Sequence, residues 1–112
     1  MNKTIAIPVE NGELCPHFGH CPNFVIFTIN NSQIIKEELI TPPPHEPGVL
    51  PAWLSQQGVT DVIAGGIGQK AISLFNQNEI NVFAGAKIKT PKALAEDLIN
   101  NNLEAGSNYC DH

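Results

Sequence analysis

The sequence predicts an α/β fold: a five-stranded mixed sheet in the order 3-2-1-4-5, with the second strand antiparallel and three helices. Three observations predict it. Short apolar, β-branched runs dominate the first forty residues. From Val49 onward, helical apolar spacing alternates with short apolar runs. Each such run passes into its helix through a glycine turn or an N-cap, which is how right-handed parallel crossovers are built. With 112 residues, 42% of them hydrophobic and 15% charged, the chain can bury a core without a metal or disulfide staple. We expect one domain over residues 1–112, with residues 103–112 as a mobile tail.

Taken in order, Thr4-Ile5-Ala6-Ile7-Pro8-Val9 reads as a buried strand, and Asn11-Gly12 opens a loop. Phe24 to Ile29 is a second strand and Gln33 to Ile40 a third, joined through Asn30-Asn31-Ser32, whose composition is that of a turn. Thr41 to Gly48 holds four prolines, which remove donors and fix φ, so it reads as a stiff arm carrying His45. Val49, Leu50, Trp53 and Leu54 recur at helical spacing up to Gln57, with Pro51 tolerated in the first turn. Asp61-Val62-Ile63-Ala64 is a strand, Gly65-Gly66-Ile67-Gly68 a glycine turn, and Gln69 to Gln77 a helix. Ile80 to Phe83 is the fifth strand. Thr90-Pro91 starts the last helix, an N-cap followed by Pro at the first helical position.

The chemistry-bearing residues are Cys15, His17, His20, Cys21, His45, Cys110 and His112, all on stretches that read as loops. Thiolate and imidazole gathered on loops suit zinc, copper or iron–sulfur chemistry. The predicted topology brings the Cys/His loop, the His45 arm, the glycine turn and Lys87/Lys89 to one sheet edge, where open α/β sheets bind ligands. Three helix N-termini there supply partial positive charge for an anion. A ten-residue tail spans about 33 Å at most, enough for Cys110 and His112 to return to that edge. In a reducing compartment, three cysteines read as thiols or ligands rather than as a disulfide framework.

Composition excludes several classes. A formal charge of -5 without arginine argues against nucleic acid and against an arginine clamp on phosphate. No apolar run is long enough to span a membrane and Met1 to Val9 is short for a secretory signal, so a cytoplasmic protein is expected. Gly66-Ile67-Gly68-Gln69-Lys70-Ala71 fits the dinucleotide fingerprint, but no acidic residue closes the next strand to hold a ribose. We read the turn as a means of packing a helix closely on the sheet and as part of an anion-binding edge. Cys15 and Cys21 are too far apart for a C-x-x-C motif. A Cys–His catalytic pair lacks an evident third member.

Several pieces together resemble the dinitrogenase iron–molybdenum cofactor biosynthesis family: Ile5-Ala6-Ile7-Pro8-Val9, His17-Phe18-Gly19-His20-Cys21-Pro22, Pro44-His45-Glu46-Pro47-Gly48, and Val62 to Gly68 running into Ala71. The closing Cys110-Asp111-His112 is similar to the ending of one subgroup. The resemblance implies a ribonuclease-H-like three-layer fold without nuclease residues. It also implies non-catalytic carriage of a metal–sulfur cluster, of iron–molybdenum–sulfur or molybdenum–copper–sulfide type. His17 carries over most directly, then Cys21 and His45, with Gly19, Gly48, Gly66, Gly68 and Lys87 expected around the cofactor. Cys15, His20, Cys110 and His112 are ligands beyond those of many members, which brings an iron–sulfur cluster or zinc into view. The implied partners are a cluster-assembly or recipient metalloprotein and a nucleotide-binding ATPase of cluster assembly. The competing expectations are a thiol- or metal-dependent enzyme using the same cleft, and a regulatory domain with a structural zinc.

Overall fold

In the computed structural model, residues 2–18, 21–44 and 48–105 are described. The elements run β1 (Lys3–Glu10), β2 (Glu13–Leu14), β3 (Asn23–Asn30), β4 (Gln33–Ile40), α1 (Val49–Gln56), β5 (Asp61–Ile63), α2 (Gln69–Gln77), β6 (Asn81–Phe83) and α3 (Pro91–Ile99). One sheet of six strands forms, ordered β4-β3-β1-β5-β6, with β2 paired to β1 off that path. The expectation of five strands in the order 3-2-1-4-5 is therefore corrected, in count and in order. Asn11-Gly12 is a hairpin turn and not the start of an open loop, because both residues take positive φ (55° and 82°). That geometry folds Glu13-Leu14 back antiparallel on Glu10 and Val9. The extra strand takes second place in the chain, so every later strand moves up one number.

β3 runs antiparallel to both β1 and β4, while β5 and β6 run parallel to β1. The β3–β4 connection is tight, with Asn31 and Ser32 at φ 53° and 62°, the left-handed pair that a two-residue hairpin demands.

Period-two alternation sorts β1 and β3 onto two faces. Ile5, Ile7 and Val9 join Val25, Phe27 and Ile29 beneath Leu94, Ala95 and Leu98 of α3. On the other face Ala6, Phe24, Ile26 and Val62 meet Leu50 and Leu54 of α1 and Ile72 and Phe75 of α2. The sheet is thus the middle of three layers. Its outer strand β4 is mostly exposed and carries Lys36, Glu37 and Glu38, charges that discourage edge-to-edge pairing. Among the described residues no helix is long and apolar enough to cross a membrane.

Asp61 is fully buried at the start of β5. Its carboxylate accepts from Thr60 Oγ1 (2.7 Å) and Asn81 Nδ2 (3.0 Å) and pairs with Lys3 Nζ at 3.3 Å. This network ties the first residues of β1, β5 and β6 together at the end of the sheet opposite Glu10.

Candidate functional site

The site is built from main-chain pairing beyond the strand ends. Pro8 has no N–H to donate, and the β1–β5 ladder stops at Ala6 and Val62. The Pro8 carbonyl instead accepts the Cys15 amide at 2.9 Å. Leu14 N–H donates to Lys89 O at 2.9 Å, which draws the loop after β6 onto the β1–β2 hairpin. Next, Gly66 N–H donates to Pro16 O and Phe18 N–H donates to Gly66 O, both at 2.8 Å. These two bonds form a parallel bridge at His17. On the other side of the glycine turn, Gly85 N–H donates to Gly65 O at 2.9 Å. Three loops therefore continue the sheet as a ledge: residues 16–18, 65–66 and 85–86.

The glycine turn has a different reason from the one expected of it. A Cβ on Gly65 would lie 3.0 Å from Pro16 O, and one on Gly66 3.2 Å from Pro16 O and 3.4 Å from His17 Nδ1. A Cβ on Gly68, at the start of α2, would meet nothing within 4 Å. The glycines admit the Cys/His loop; close packing of the helix does not require them.

Phe18 anchors the same loop. Its ring stands edge-on to Phe75 (5.4 Å between centroids) and to Phe24 (6.0 Å), and Phe24 in turn meets Trp53 at 6.1 Å. His17, between two pinned neighbours, is exposed. Nothing in the sequence pattern marked Gly65 or Phe18 as the positioning residues. The only signal was their place beside His17 and at the end of β5.

Cys15 and Cys21 are joined as a disulfide, with Cα atoms 5.9 Å apart. The sequence reads both as thiols or ligands; in this structure each is the other's partner, across a separation of six positions. Both sulfurs lie against one acceptor, the His17 carbonyl, at 3.2 Å for Cys21 and 3.5 Å for Cys15. Cys15 is buried and Cys21 half-buried.

The lysines expected to face an anion have carboxylate partners. Lys87 Nζ lies 3.0 Å from Glu104, both side chains being exposed. Lys89 Nζ lies 2.9 Å from Asp97 of α3, whose hydrogen bond and charge hold the ammonium above its ordinary value of 10.5. After α3 the chain turns back: Leu103 and Ala105 pack on the α3-side core and Glu104 reaches Lys87, on the loop that follows β6. The proline arm begins next to the Cys/His loop, since Asn23 Nδ2 donates to Thr41 Oγ1 at 3.3 Å.

His17, Cys15, Cys21, Gly66 and Lys87 thus belong to one end of the sheet. Gly48 and Gly68 are the N-cap residues of α1 and α2. Gly19, His20, His45, Cys110 and His112 lie outside the described residues. Among the described residues, no group of three or more His, Cys, Asp or Glu is gathered to hold a metal ion.

Comparison with known proteins agrees with this frame. The family model described as dinitrogenase iron-molybdenum cofactor matches residues 1–101. An uncharacterized protein of Methanocaldococcus jannaschii is 39% identical over 84 residues, 70% of this chain and 71% of that protein. The crystal structure of PH0822 superposes with a TM-score of 0.84 at 28% identity, covering 92% of this chain and 96% of the other. The apo form of the orange protein from Desulfovibrio gigas gives a TM-score of 0.78 at 18% identity, over 96% of each chain. At that identity the likeness is one of fold.

Proposed function

The chain belongs to the dinitrogenase iron-molybdenum cofactor family, and from that premise we propose that it is a non-catalytic carrier of a metal–sulfur cluster. The cargo sits at the carboxyl edge of the sheet and passes to a cluster-assembly or recipient metalloprotein. We take the chain to act as one unit, and its three layers to be of the ribonuclease-H-like class. The observation that carries the reading is the Cys/His loop clamped on the glycine turn, with His17 exposed between two backbone-pinned neighbours. A preformed imidazole on a rigid ledge binds without the loop having to be ordered first. Exposure lets the cargo leave again. His17 and reduced Cys21 are the proposed donors; His45, His20, Cys110 and His112 are the proposed additions, and Gly19, Gly48, Gly66, Gly68 and Lys87 the proposed surroundings.

The cargo we favour is of iron–molybdenum–sulfur or molybdenum–copper–sulfide type, with a simple iron–sulfur cluster next. A structural zinc is disfavoured by two apolar clusters that fill both faces of the sheet without it. The test is anaerobic reconstitution of the reduced protein with iron and sulfide, with and without molybdate, read by elemental analysis and visible absorption. The His17→Ala/Cys21→Ser double variant should lose uptake. Unchanged uptake by that variant, with the fold intact by circular dichroism, would sink the proposal.

A further inference from the structure

The two sulfurs of the disulfide differ in access. Cys15 is 2% exposed and its amide is fixed to Pro8, whereas Cys21 is half-buried just before β3. A Cα separation of 5.9 Å lies within the span that a disulfide bridges without backbone movement. Residues 16–18 have anchors besides the bond, because the bridge at His17 and the Phe18 ring hold them to the glycine turn and to α2. When the bond opens, the His17 carbonyl stands ready to accept an S–H from either thiol.

We propose that Cys21 is a thiol–disulfide exchange site for low-molecular-weight thiols and disulfides, with Cys15 as the resolving sulfur. In the oxidising direction the Cys21 thiolate attacks a small disulfide RSSR, forming a Cys21–SR bond and releasing one thiolate. Cys15 then attacks the Cys21 sulfur, the Cys21–SR bond breaks and the second thiolate leaves. The two protein thiols give up two electrons and two protons, and RSSR takes them up as two RSH. In the reducing direction a small thiolate attacks Cys21, the accessible sulfur, and Cys15 departs. A second thiolate then attacks the outer sulfur of the Cys21–SR bond, RSSR forms and the Cys21 thiolate leaves. The inference rests on the carrier reading for its purpose, since the disulfide withdraws Cys21 from the proposed donor set. Its chemistry is independent of any cargo.

The experiment uses the full chain with Cys110→Ser, reduced and metal-free, treated with glutathione disulfide and followed by intact mass. This protein should end with its disulfide and no adduct. Adding Cys15→Ser should trap one glutathione on Cys21. Adding Cys21→Ser instead should give adduct about tenfold more slowly or not at all, because the remaining sulfur is buried. Equal adduct rates in the two variants, or no adduct on a folded Cys15→Ser protein, would overturn the assignment. Failure here would leave cluster uptake by the reduced protein untouched. Failure of reconstitution would leave the adduct pattern untouched.

Discussion

At Gly65 and Gly66 a missing side chain decides where another residue goes. The Pro16 carbonyl approaches to where a Cβ would stand 3.0 Å away on Gly65, and that approach allows the two bonds that frame His17. Gly65→Ala should therefore cost about 1–3 kcal/mol in urea unfolding, because the clash is with backbone and not with a flexible side chain. Gly68→Ala, facing open space at an ordinary φ of -74°, should change stability by about 0.5 kcal/mol or less. Equal costs for the two would mean that the glycine turn does not serve the loop. His17 contrasts with both, since backbone on either side holds it and its own side chain is exposed.

At the level of elements, α3 shows how local and distant signals divide. Its start was legible because a cap is local chemistry: Thr90 Oγ1 accepts from Ala93 N–H, and Pro91 follows. The alternation of β1 and β3 was legible for the same reason, each residue's face being set by its neighbours. The two-residue β2 shows no period, and only Asn11-Gly12 hinted at it. The partners of the site were also hidden, because Pro16 against Gly65, Lys87 against Glu104 and Cys15 against Cys21 depend on the folded path rather than on spacing. His17 and Gly66 could be named in advance, but the contact between them could not.

The Lys89–Asp97 pair between α3 and the loop before it carries a pH dependence with a definite sign. The folded state holds the Lys89 proton more tightly, so the pair stabilises below the ordinary lysine value of 10.5. That contribution is lost as pH rises through the raised folded value. Thermal melts between pH 9 and 12, about the lysine range, should show an alkaline decline that is shallower in Asp97→Asn. An identical decline in both proteins would remove Lys89 as its source.

Over the whole molecule, anchoring and binding are separated along the strands. β1 alone spans about 25 Å at some 3.3 Å per residue, with Lys3 on buried Asp61 at one end and Glu10 beside the Cys/His ledge at the other. Asp61→Ala removes a carboxylate that satisfies Thr60, Asn81 and Lys3. It should cost about 2–4 kcal/mol in denaturant unfolding while leaving cluster uptake per folded molecule unchanged. A parallel loss of uptake would show the two ends to be coupled.

The Glu104–Lys87 contact also bears on how the protein should be handled. It sets residue 104 at the rim of the ledge, so a fluorescent label attached at that position would report on events there. A label attached at Asn2, just ahead of β1 at the opposite pole, would stay silent and serve as its control.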